Sequence, residues 1–254
     1  MNEKAKELNL NNTYFVTPHG LDNPNHYTTA YELALLTDYA LNNEKFAKIV
    51  NTKTYTININ GNSRQINNTN ELLGNLNGVD GVKTGFTNNA GRCLVTSITR
   101  NNWQIISVVL GADTKKDRTK DSINLIEYSF NNYELVNIKE MIEDKYKTWQ
   151  EQYEKSIQIY KGKEDRIYTY LEEVPYMEYP IKKDEIKDIK CEINCVDFIK
   201  APVNENDIIG SLELKIKDKD ICSLNIKCKN EVKRKGILDN FKTLFYNIGL
   251  YLAM

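Results

Sequence analysis

The sequence predicts an α+β protein: a mixed helix-and-sheet segment, a run of short strands, and a terminal amphipathic helix. Three observations predict it. Gly91 to Ile98 and Trp103 to Leu110 are apolar runs joined by Arg100-Asn101-Asn102, so they should pair antiparallel beside helical segments. From about Leu135 the apolar residues alternate at period 2, as in a small all-β sandwich. Finally, Ile237, Leu238, Phe241, Leu244, Phe245, Ile248 and Leu252 form one stripe at helical spacing.

In chain order, Glu3 to Leu10 reads as the end of a helix, and residues 11–25 as a loop holding Thr17-Pro18-His19-Gly20-Leu21. Thr29-Ala30-Tyr31-Glu32 is a capping-box pattern, with the Thr oxygen on the N3 amide and Glu32 reaching back. Leu33, Leu36, Ala40 and Leu41 carry that helix to about Leu41, and a shorter one follows near Glu44 to Val50. Tyr55 to Ile59 alternates as a strand and ends in the hairpin dipeptide Asn60-Gly61. Val79 to Lys83 is a short strand leading into the apolar pair. Asp117 to Asn132 is an amphipathic helix through Ile123, Ile126 and Phe130. Further strands are expected at Lys155–Tyr160, Arg166–Leu171, Ile189–Phe198, Ile208–Ile216 and Ile221–Lys229. Domain boundaries are accordingly expected at 1–134, 135–230 and 231–254.

Length and composition bound the function. The 254 residues suit one large domain or two small ones, and 41% hydrophobic with 27% charged residues fits a globular protein. Lys+Arg 34 against Asp+Glu 35 leaves a formal charge of −1, so no global field recruits nucleic acid. No run of 18 apolar residues exists, and the N-terminus has no hydrophobic signal core. The five cysteines lack CxxC spacing, so no metal site is expected. Ile189, Cys191, Ile193 and Cys195 share one strand face, as do Cys222, Leu224, Ile226 and Cys228, which favours core packing over metal or redox roles. Cys93 is read the same way, and no cofactor is implied. His19 and His26 sit in a Pro–Gly loop, where structural hydrogen bonding is favoured over catalysis.

The terminal stripe is interrupted by Asp239, Asn240, Lys242, Thr243 and Asn247, so it does not suit a fully apolar span. Lys233-Arg234-Lys235 leads into it, and Tyr246 and Tyr251 suit a water–lipid boundary. The favoured partner of residues 233–254 is a membrane surface; a helix docked on its own protein or on a second copy is the alternative.

Chemistry concentrates in Val79-Asp80-Gly81-Val82-Lys83-Thr84-Gly85-Phe86-Thr87, which ends a strand and precedes a hairpin. Alone, the Lys83-Thr84-Gly85 triplet reads as a turn with a solvated lysine. Its flanks change that reading. With Ala90-Gly91-Arg92-Cys93-Leu94-Val95 after it, and Pro18-His19-Gly20-Leu21-Asp22 and His26-Tyr27-Thr28-Thr29-Ala30-Tyr31-Glu32 before it, the chain resembles the serine-type D-alanyl-D-alanine carboxypeptidases. Ala201-Pro202-Val203 and Ile209-Gly210 echo that family's C-terminal β domain, and the tail echoes its membrane anchor.

The resemblance implies a penicillin-binding, transpeptidase-like fold followed by a β-sandwich domain. It implies removal of the terminal D-alanine from peptidoglycan stem peptides through a serine acyl-enzyme, which β-lactams trap. Lys83, Thr84 and Gly85 would then be catalytic-motif residues: the lysine supplies positive charge, the threonine hydroxyl meets the substrate carboxylate, and the glycine admits ligand backbone. Arg118 matches the family's arginine that approaches that carboxylate, its alternative being a surface arginine at a helix start. The family's Ser-x-x-Lys motif is absent from the chain, and Ser122-Ile123-Asn124 falls after the triplet and inside a helix, so it reads as accidental. The chain is therefore expected to be the C-terminal portion of a carboxypeptidase, inactive alone, with β-lactams as partners only if the missing part is supplied. The alternative is a catalytically dead module that holds muropeptides. Either way the resemblance places it at the outer face of the bacterial cytoplasmic membrane. Apolar sheet surface around Val95, Ile106 and Val108 is expected to be bare.

Overall fold

Asparagine tolerates positive φ better than most L-residues, and two asparagine turns shape the first half of the chain. The computed structural model describes residues 1–239. The chain divides into two units, Met1–Asn132 and Tyr133 onward.

The first unit runs α1 (Asn2–Glu7), α2 (Ala30–Leu41), α3 (Glu44–Val50), β1 (Thr54–Ile59), β2 (Asn62–Asn67), β3 (Val79–Thr87), β4 (Gly91–Arg100), β5 (Trp103–Ala112) and α4 (Lys115–Asn132). Asn60 and Gly61, both at positive φ, turn β1 back on β2. Asn101 (φ 50°) and Asn102 (φ 62°) do the same between β4 and β5. The turn is thus two residues, and Arg100 belongs to the strand. β3, β4 and β5 form an antiparallel meander with β4 in the centre.

Alternation on the central strands builds two cores. Leu94 and Ile98, both fully buried, pack with Val79, Leu72 and Ile126 of α4. Val95 packs with Val82 and Val50, and Leu33, Leu41, Phe46, Ile106 and Val108 close around them. That second cluster corrects one expectation: α2 and α3 cover the sheet, Val95 is buried, and Ile106 and Val108 are half-buried. Three buried hydroxyls satisfy one another, Ser122 Oγ lying 2.7 Å from Ser107 Oγ and donating to Thr96 Oγ1 at 3.1 Å. Ser122 is therefore a structural residue, as its helical position implies.

The second unit runs β6 (Tyr133–Val136), α5 (Ile138–Tyr153), β7 (Gln158–Tyr160), β8 (Thr169–Leu171), β9 (Tyr179–Lys182), β10 (Ile189–Cys195), β11 (Phe198–Lys200), β12 (Ile208–Ile216) and β13 (Lys219–Cys228). Its main sheet has the order β10-β12-β13-β8, with two-stranded pairs β11-β7 and β6-β9 beside it. Strands occur where alternation predicts them, but the first three are shorter than expected, Gln158–Tyr160, Thr169–Leu171 and Ile189–Cys195, and α5 precedes them where the sequence predicts only strands. Asn137 caps α5 by accepting from Glu140 N at 3.0 Å. Ile138 and Ile142 of α5 are buried against Leu212, Leu214 and Leu224. A second core gathers Ile157, Val203, Ile209, Ile226 and Val232.

Cys191, Cys195 and Cys222 are half-buried and Cys228 is buried; all five cysteines are free thiols. Burial pushes the Cys191 and Cys228 thiols up to about 11.

Residues 232–235 are not the start of the terminal helix. Val232 pairs with Val203 and Arg234 with Gly162, and Lys235 N donates to Lys161 O at 2.8 Å. This tethers the basic lead-in to the β domain, and helical structure begins at Ile237. The rest of the apolar stripe, from residue 240 to 254, lies outside the described residues. Among those described, no helix is long and apolar enough to cross a membrane.

Candidate functional site

β3 carries the Lys83-Thr84-Gly85 triplet. The strand continues through the triplet to Thr87 instead of ending at it, with Lys83 opposite Val95, Thr84 opposite Leu94 and Gly85 opposite Cys93. Because β3 pairs only with β4 in its sheet, the triplet lies on a sheet edge. Lys83 is exposed, and its Nζ donates to Thr84 O at 2.6 Å. A Cβ placed on Gly85 would meet only Cys93 Cβ, at an ordinary 3.6 Å. The fold thus does not require glycine there; what the glycine provides is bare backbone.

Thr84 Oγ1 lies 2.7 Å from Thr69 Oγ1. Thr69 belongs to a strap, residues 68–73, whose other members are anchored on both sides of it. Asn68 Nδ2 donates to Val50 O at 3.1 Å and Thr52 O at 3.2 Å. Asn70, 2% exposed, donates to Gly81 O at 2.8 Å. Leu72 and Leu73 are buried in the core. Between them, Glu71 receives Arg118 Nη2 on both carboxylate oxygens, at 2.6 and 2.7 Å, and the Thr119 hydroxyl at 2.7 Å.

Arg118 is thereby placed against a carboxylate of the chain itself. Its side chain is 3% exposed and engaged by Glu71 and by Cys93 O at 3.5 Å. Burial works to raise the Glu71 pKa. Hydrogen bonds from Thr119, its own backbone amide and Arg118, with the arginine's charge, outweigh burial and hold it below the usual value.

Beside the hairpin end of β3 lies a cleft of about 680 Å³, lined among others by Phe15, Leu21, His26, Tyr27, Thr87 and Cys93. Cys93 is half-buried at this cleft and, unlike the other four thiols, joins no hydrophobic cluster among the described residues. The histidines hold loop structure. His19 Nδ1 accepts from Leu21 N at 3.2 Å, and the His26 ring meets Phe15 edge-on at 5.7 Å. Glu32, 6% exposed, departs from the capping box. Thr29 Oγ1 does accept from Glu32 N, at 3.2 Å, but the carboxylate turns away to Asn12 N and to Thr13 Oγ1 at 2.5 Å, pinning the start of the cleft loop. Arg92 stacks on the Phe86 ring, 3.6 Å from its centroid, at the strand ends. Among the described residues no group of three or more His, Cys, Asp or Glu is placed to hold a metal ion.

Residues 1–114 match the family described as D-alanyl-D-alanine carboxypeptidase, and residues 144–234 the penicillin-binding protein 5 C-terminal domain. The chain is 33% identical over 245 residues to the D-alanyl-D-alanine carboxypeptidase DacF of Bacillus subtilis, covering 95% of this chain and 60% of that protein. It is 29% identical over 254 residues to DacA of Escherichia coli, covering 97% and 59%. Among solved structures it is similar to penicillin-binding protein 5 of Haemophilus influenzae, with a TM-score of 0.65 at 29% identity, over 92% of this chain and 64% of the other. The chain spans about three-fifths of the length of the curated relatives it matches.

Proposed function

The chain belongs to the family of D-alanyl-D-alanine carboxypeptidases, the low-molecular-mass penicillin-binding proteins, and on that premise we propose that it supplies the substrate-side wall of such an enzyme. The observation that carries this is the placement of Lys83, Thr84 and Gly85 on an edge strand. An edge strand offers unpaired backbone groups along which an extended peptide lies as an added strand. Lys83 Nζ brings positive charge to a peptide's C-terminal carboxylate, and the Thr84 hydroxyl donates to it. Gly85 leaves room for the ligand backbone beside the strand.

The reaction of the whole protein is removal of the terminal D-alanine from peptidoglycan stem peptides through a serine acyl-enzyme. No serine among the 254 residues has a lysine three positions on, so the nucleophile is supplied from outside them. The protein works at the outer face of the cytoplasmic membrane, and the apolar stripe in the sequence from Ile237 to Leu252 supports a membrane surface as its partner.

The test is covalent labelling. Incubated with a fluorescent penicillin, this chain alone should give no labelled band and release no D-alanine from a pentapeptide. A band at the chain's mass, abolished by prior ampicillin, would overturn the reading, because it would place an acylable serine inside these residues.

A further inference from the structure

A hydroxyl has one proton to donate and can accept two hydrogen bonds. A threonine that must donate to a carboxylate is therefore useful only if that proton is not spent elsewhere. Thr84 Oγ1 already has one partner, Thr69 Oγ1 at 2.7 Å. Either oxygen can be the donor in the free protein, but once an anion takes the Thr84 proton, only Thr69 is left to donate. We propose that Thr69 is a positioning residue for the carboxylate site: it donates to Thr84 Oγ1, fixes the Thr84 side chain in one rotamer, and directs the Thr84 proton outward. The resulting series, Thr69 to Thr84 to carboxylate, polarises each bond in turn.

Position 69 can do this because the strap on either side of it is fixed. Asn68 is tied to the end of α3 and to Thr52, and Asn70 is buried on Gly81 O, two residues before the triplet. Glu71 is clamped by Arg118 and Thr119. Arg118 thereby supports the carboxylate site through the strap. An exposed hydroxyl on a free loop would find water as easily as Thr84; this one is held at hydrogen-bond distance by its neighbours.

The inference rests on the reading of β3 as a carboxylate-binding strand, so the experiment has one arm that needs no ligand. Three-bond couplings from the backbone nitrogen and carbonyl to Thr84 Cγ2 report its χ1 rotamer. Wild type and Thr69→Ser should show one rotamer, and Thr69→Val, which keeps the branched shape without the hydroxyl, should show averaging. In the second arm, affinities are measured for an acetylated peptide ending in D-Ala-D-Ala and for its C-terminal carboxamide. Thr69→Val should lose about three- to tenfold of the preference for the acid, the change carried by one neutral hydrogen bond, and Thr69→Ser should retain it. Couplings unchanged in Thr69→Val, or already averaged in wild type, would overturn the positioning role. If wild type binds neither peptide, the carboxylate reading falls, while the couplings still decide whether Thr69 holds Thr84.

Discussion

Removing the Glu71 carboxylate should cost the first unit more than an exposed ion pair would, because the partner left behind is buried. Arg118 is 3% exposed, whereas the Glu71 side chain is 39% exposed. In Glu71→Ala the guanidinium keeps only the 3.5 Å contact to Cys93 O, and its charge remains in the interior. Breaking a fully buried pair costs about 3–5 kcal/mol. Glu71 is more than one-third exposed, so water and salt screen part of that, and about 2–3 kcal/mol is expected here. Arg118→Met removes the charge and leaves a half-exposed carboxylate still bonded to Thr119, costing about 1–2 kcal/mol. The double variant should cost less than the two summed, since with both partners gone no charge is left buried and unpaired. The assay is urea unfolding followed by Trp103 fluorescence in a Trp149→Phe background. That leaves one of the chain's two tryptophans, held against Phe130 with ring centroids 5.2 Å apart in the first unit. The pH dependence has a definite sign: with the Glu71 pKa lowered on folding, its contribution is present above the ordinary value of 4.5 and fades as pH falls below it. A Glu71→Ala cost under about 0.5 kcal/mol, or strict additivity in the double variant, would refute the clamp.

Ile226, fully buried in the second core of the β domain, should cost about 2–5 kcal/mol on truncation to Ala, read from urea unfolding by Trp149 fluorescence. Glu172, drawn down to about 2 by hydrogen bonds from Lys227 and Asn225 and by the Lys227 charge, contributes stability that is present above 4.5 and lost as pH falls towards 2. Glu172→Gln should therefore flatten the acid limb of a stability–pH profile, and an unchanged limb would contradict the assignment. Removing residues 237–254 should abolish co-sedimentation with anionic vesicles while leaving the β domain folded, because buried Val232 and the pairing of Arg234 are retained. Equal sedimentation of the two chains would refute the anchor.

How legible all this was in the sequence depends on where each signal lay. The β4–β5 hairpin was readable because apolar alternation and an Asn-Asn turn agree. The helix α5 carries its own signal, Ile138, Met141, Ile142, Tyr146 and Trp149 at helical spacing behind the Asn137 cap. Period-2 strands crowd the residues beyond it and mask that signal. The triplet is legible by its residues, but its place inside β3 is not, since Gly81 and Gly85 blur a strand pattern. The strap was invisible because Asn68, Thr69, Asn70 and Glu71 act through side chains on partners 11 to 48 residues away. Only the buried Leu72-Leu73 pair behind two Asx residues hinted at an anchored turn. For Arg118, sequence gave the residue but not its partner. A guanidinium at a helix start pairs with whichever carboxylate the fold brings, and here that is Glu71.

We propose above that the edge of β3 receives a peptide carboxylate. The most direct measurement is a backbone amide titration of the isotope-labelled chain with an acetylated peptide ending in D-Ala-D-Ala, with its carboxamide as the control. Shifts should concentrate at residues 83–87 and in the strap at Thr69, and be stronger for the acid than for the amide. Shifts absent from β3, or equal for acid and amide, would contradict it.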